Sequence, residues 1–143
     1  QSQISLDLSP LDNEVFVVVA IDLDPQFPDA IAGVDTSTQA CLSTTRRTTM
    51  GFISDTNVLA GSSVAIRAAG LIDSGVGFTK TSLETPPADL DYIGIIATND
   101  FFLSVQGGAN LAVKQCAARI WGYRATASAN VFSALVQSEV LSA

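Results

Sequence analysis

Between residues 92 and 125 the apolar residues arrive in strand-length bursts, YIGIIAT, FFLSVQG and LAVKQCAARIWGYRA, parted by Asn99-Asp100 and by Gly107-Gly108-Ala109-Asn110. An amphipathic helix repeats its apolar residues every three to four positions over ten or more residues, whereas short bursts between turn residues belong to strands. The spacing predicts a three-stranded antiparallel meander joined by tight turns. Both faces of the first two strands are apolar: Ile93, Ile95 and Ala97 against Tyr92 and Ile96, then Phe101, Leu103 and Val105 against Phe102. One face fills a sandwich core, and the other requires a second cover.

The rest of the chain follows the same logic. Ile4, Leu6 and Leu8 alternate with polar residues in QISLDLS, a strand with one wet face. NEVFVVVAIDLD sets Val15, Val17, Val19, Ile21 and Leu23 on one face, yet Phe16, Val18 and Ala20 make the other face apolar too, which predicts a central strand. Residues 24 to 39 carry Pro25, Pro28 and Gly33 and read as a long loop. LSTTRRTTMGFIS (42 to 54) reads as a strand with a polar middle, and SSVAIRAAGLIDS as another, bulged near Gly70. Pro86-Pro87 marks a stiff surface connection. ATASANVFSALVQSEVLSA has helix-like spacing with Ser128 or Asn130 as a cap, but its Ser and Val content suits an extended arm equally well. The expected fold is an all-β, single-domain antiparallel sandwich over 1–125, most simply a jelly roll, with a C-terminal helix or arm over 126–143. An immunoglobulin-like sandwich is the competitor, although Trp121 follows both cysteines instead of lying between them.

Charge narrows the function classes. Hydrophobic residues make up 48% of the 143 and charged residues only 15%, so few charges remain to cover a free surface. Either Ser, Thr, Asn and Gln solvate it or part of it meets other subunits, and a mixture weighted to the second is expected. The net charge of -7, from 14 acidic and 7 basic residues, leaves no basic stripe for phosphates and argues against direct nucleic-acid contact. No apolar run reaches the length of a membrane-spanning helix. The chain opens on Gln1, as a processed or trimmed chain does. Cys41 and Cys116 form no CxxC motif; they are either a disulfide between distant strands or two buried thiols.

Little in the sequence points to catalysis. The chain has no histidine, which excludes Ser-His-Asp and Cys-His mechanisms, and its acids fall mostly at strand ends and turns. IDLDPQFPD offers Asp22, Asp24 and Asp29 as oxygen ligands for calcium, without the spacing or glycine of an EF-hand loop. GVGFTK lacks the third glycine of a dinucleotide fingerprint and the GK[ST] of a phosphate loop. Arg119, Trp121 and Tyr123 share one strand face at i, i+2 and i+4. Such a ladder is a subunit contact, with Arg119 pairing to an acid, or a stacking platform for a glycan.

IIATNDFFLSVQG followed by ARIWGYRA resembles, in pattern over about the last 40 residues, small all-β structural proteins of viruses, among them single-jelly-roll capsid and head-decoration proteins. The resemblance implies a lattice or trimer protein without enzymatic activity or cofactor, located in a virion or an extracellular assembly. That family has no short motif from which a functional residue could be carried over. With QSQISLDLS free of positive charge, an outer or decorating position is expected in place of genome contact. Phe101, Phe102, Trp121 and Tyr123 are the expected subunit-contact residues. A carbohydrate-binding or adhesin-type module is the alternative.

Overall fold

The computed structural model describes residues 1–70, 72, 75–82 and 91–141, with eight strands and one helix among them. The strands are β1 (Ser2–Ser5), β2 (Glu14–Pro25), β3 (Thr36–Ser43), β4 (Val58–Arg67), β5 (Val76–Ser82), β6 (Gly94–Ile96), β7 (Asp100–Gly108) and β8 (Cys116–Thr126); the helix is α1 (Ala129–Leu141). They form two antiparallel sheets, one ordered β1-β7-β3-β4-β5 and the other β6-β2-β8, so the chain is an all-β sandwich. In the larger sheet β3, β4 and β5 follow one another and β7 returns beside β3, the spatial order of a Greek key. A jelly roll carries two such keys, whereas the described strands form one.

β2 is central, as its two apolar faces predict, but its side chains do not keep a single phase. The ladder to β8 shifts between Val18 and Ala20, leaving Val19 outside the pairing. One extra residue exchanges the two faces beyond it. Val18 before the shift and Ile21 and Leu23 after it therefore all enter the core, while Val15 and Val17 are buried outside that cluster. The core is completed by Leu42 of β3, Ala60 of β4, Ile96 of β6 and Phe101 of β7, with Phe16, Leu103 and Ile120 packed against it. Burying each of the Val, Leu, Ile and Phe side chains among them is worth about 1.5–3 kcal/mol.

The expected meander of residues 92 to 125 does not form. β6 pairs with β2, β7 pairs with β1 and β3, and β8 returns to β2. Thr98-Asn99 is thus a crossing from one sheet to the other, since polar residues between apolar runs serve a sheet switch as well as a hairpin. Asn99 O accepts the Leu6 N–H at 2.7 Å. The Glu139 carboxylate of α1 accepts the N–H groups of Ala97 and Thr98 at 2.8 and 3.2 Å. The C-terminal segment is a helix from Ala129, and Ser128 caps it, its hydroxyl accepting from Val131 N at 3.3 Å.

Four further expectations change. QISLDLS leaves the sheet after Ser5, and Asp7 takes a φ of 51°. The segment read as a strand over 42 to 54 belongs to β3 only as far as Ser43 and then becomes a loop, and Gly70 lies in the turn beyond β4, with a φ of 85°. VGFTKTS, not singled out as a strand, is the edge strand β5. Pro86-Pro87 lies outside the described residues.

Candidate assembly surface

The expected contact residues fall in three different places. Phe101 is 4% exposed and belongs to the core. Phe102 points to the opposite face of the larger sheet, as alternation requires, yet is only 8% exposed. Its cover comes from the same chain. The Arg46 guanidinium lies 5.6 Å from the centre of the Phe102 ring, and the loop over 44–57 continues across the sheet, bringing Ile53 over Gly61 of β4. Arg47 pins the loop by donating to Asn57 Oδ1 at 2.7 Å and to Asp55 at 3.1 Å. The second apolar face that pointed to a neighbouring subunit at Phe102 is therefore closed from within. Met50 and Phe52 alternate as they would in a strand, but they belong to this lid.

Trp121 and Tyr123 are different. Ile120 of β8 packs on the core, so Arg119, Trp121 and Tyr123 take the outer face, where Trp121 is 47% and Tyr123 56% exposed. The Arg119 guanidinium stands 5.9 Å from the Trp121 ring centre, the expected cation–π contact. Across the ladder Arg119 faces Asp22, Trp121 faces Ala20 and Tyr123 faces Val17. Asp22 and Asp24 are both exposed on β2. The exposed face thus carries two aromatic rings, one cation and carboxylates along two strands.

β8 is also an edge. All eleven of its residues pair with β2, and among the described residues no strand pairs with its far side. The close approach of β2 and β8 depends on Gly122: a Cβ there would stand 2.3 Å from the Val17 carbonyl oxygen and 2.6 Å from the Phe16 ring. Below β8, Arg124 donates to Leu6 O at 2.6 Å, Asp7 O at 3.2 Å and Glu14 at 2.9 Å, tying the strand to the N-terminal segment.

Asp29 does not join Asp22 and Asp24. Its carboxylate takes Lys114 at 2.7 Å and the N–H groups of Leu111 and Ala112 at 2.8 and 3.3 Å. The hydrogen bond from Lys114 and then that from Leu111 hold its pKa below the ordinary carboxylate value, against partial desolvation. Asp29 thereby clasps the 26–35 loop to the loop before β8, and its acceptor positions are engaged by the chain itself. No group of three or more potential ligands gathers among the described residues. Asp35 is held in the same way, chiefly by the Ala69 and Ala68 N–H groups and then by the Arg67 charge. Neither role is visible in sequence, because the partners lie 82 and 34 residues away.

The clasp presents an apolar tip that strand periodicity missed. Strand spacing places LAVKQ at the start of the last strand, but β8 begins at Cys116. Leu111 and Val113 are left 84% and 91% exposed, with Phe27 76% exposed on the 26–35 loop. Cys41 is fully buried in β3, Cys116 opens β8 in the other sheet, and no disulfide joins them. The sequence matches no protein-family model, and comparison with curated proteins and with solved structures gives no significant match.

Proposed function

We propose that this chain is a structural, self-assembling sandwich subunit, a capsid or capsid-decorating protein of a virion, which acts through contacts with other subunits and performs no catalysis. One observation supports the reading: large apolar side chains stand exposed on elements that the chain holds rigidly. Leu111 and Val113 project from a loop clasped by Asp29 and Lys114, and Trp121 and Tyr123 project from a fully paired strand. Apolar side chains on a flexible loop can fold back out of water; on fixed elements they remain in it until a partner arrives. The low charge content and the absence of a basic stripe suit contact with protein in preference to nucleic acid.

Sedimentation velocity of the purified chain over a wide concentration range tests the proposal. Assembly into particles larger than one chain is the expected outcome, and a monomer throughout overturns it. Trp121 and Tyr123, neighbours on one face beside Asp22 and Asp24, also favour a second reading, a glycan platform. Glycan-array binding by a monomeric chain that disappears in Trp121→Ala is the result this second reading requires.

A further inference from the structure

Exposed strands in natural sandwiches are normally blunted by charged side chains, proline, a bulge or brevity, because a bare edge templates further pairing. Of these β8 carries only charge, in Arg119 and Arg124, and both are engaged within the chain, Arg119 against the Trp121 ring. The strand runs for 11 residues without lysine or proline, and the one irregularity of its ladder is on β2. Arg124, on the same strand face as Ile120 but half exposed, is committed to Leu6, Asp7 and Glu14 of the same chain.

We propose that β8 is a homotypic docking strand: it pairs antiparallel with β8 of a second copy about a two-fold axis through Trp121, joining two three-stranded sheets into one continuous sheet. The inference rests on the assembly reading above and assigns the surface and register of the contact.

The register follows from the strand itself. Antiparallel pairing of a strand with its own copy always centres on one residue, which meets itself across the axis. Trp121 is the midpoint of Cys116–Thr126, so only this centre pairs the strand over its whole length. The side chains then match. On the outer face Trp121 meets Trp121, Arg119 meets Tyr123 of the second copy, and Ala117 meets Ala125. Each Arg119, already against its own Trp121, gains a second ring, and no two like charges face each other. On the inner face Ile120 meets Gly122, a branched side chain opposite none, and Ala118 meets Arg124. A centre at Arg119 would instead oppose two guanidinium groups and leave the end of the strand unpaired. AARIWGYRA is thus self-complementary around its tryptophan, which is why a second copy is the favoured occupant of this edge.

Substitutions at exposed outer-face positions test the pairing without touching the core. In a Cys116→Ser background, Trp121→Cys places one thiol of each copy on the axis, within disulfide reach, and an added oxidant should convert the chain to a covalent dimer. Tyr123→Cys should not crosslink, since the two copies of that residue stand about 13 Å apart along the ladder. Tyr123→Arg sets like charges face to face twice per pair and should at least halve the sedimenting mass, while its circular-dichroism spectrum and melting temperature show that the fold is kept. A chain that assembles normally as Tyr123→Arg, or that crosslinks at Tyr123→Cys and not at Trp121→Cys, overturns the β8 pairing and leaves the assembly reading standing. A chain that is monomeric at every concentration overturns both.

Discussion

Replacing Glu139 by alanine should lower the stability of the chain by about 2–3 kcal/mol, through a site forty-odd residues away in sequence. The carboxylate accepts two backbone N–H groups where the chain passes from one sheet to the other, Ala97 at 2.8 Å and Thr98 at 3.2 Å. Hydrogen bonds to a charged group contribute roughly 1.5–3 kcal/mol each. Their sum is not fully realised. Glu139 is only 9% exposed, so its own desolvation offsets part of it, and the half-buried Thr98 N–H can turn to water in the variant. Ala97 is 5% exposed and has no such recourse; its orphaned N–H carries most of the loss. For a domain of this size the melting temperature should fall by roughly 6–9 °C. Glu139→Gln keeps the shape and one carbonyl oxygen and should lose about half as much. Thermal melts of the three proteins, with hydrogen exchange of the Ala97 amide, supply the measurement. A Glu139→Ala melt within experimental error of the parent, or an Ala97 amide still protected to the same degree, would refute the argument.

Phe102→Asp should destabilise the isolated chain by several kcal/mol, about the 3–5 kcal/mol of a buried Phe truncation, because the side chain lies under Arg46 and the 44–57 loop; a soluble, fully folded variant in chemical denaturation would contradict this. Gly122→Ala should loosen the β2–β8 ladder, since its Cβ meets the Val17 carbonyl and the Phe16 ring, and protease susceptibility of β8 should rise; unchanged cleavage counts against it. The lowered pKa values of Asp29 and Asp35 mean that the folded state holds their protons less tightly than the unfolded chain. Their contribution is therefore complete above the ordinary value of 3.8 and is lost as pH falls below it through the folded values. Asp29→Asn should flatten the acid limb of a stability–pH profile below about pH 4, and an identical limb in the variant would be the contrary result.

Much of the architecture was legible because strand periodicity is local. The central place of β2 followed from its two apolar faces, and the alignment of Arg119, Trp121 and Tyr123 followed from alternation alone. What strand periodicity conceals depends on partners distant in sequence. Asn99-Asp100 has the composition of a hairpin turn, and nothing nearby says that Glu139 will clamp Ala97 and Thr98 beside it into a sheet switch. Met50 and Phe52 follow strand spacing but lie in a loop, where Met50 is half-buried and Phe52 exposed. Asp29 stood out as a calcium ligand by its neighbours Asp22 and Asp24, yet its counter-charge is Lys114, 85 residues on. The exposed tip at Leu111 and Val113 was hidden because an apolar residue in a loop looks like one in a strand.

The Glu139 clamp also has a consequence in time. During synthesis β6 and β7 leave the ribosome well before α1, so the amides of Ala97 and Thr98 emerge without their acceptor and must hydrogen-bond to water. Until the helix is made and docked, the two sheets are connected but their junction is not closed. A nascent chain halted before residue 139 should therefore hold a sandwich whose halves part more easily, and the docking of α1 adds its increment of stability at that junction late.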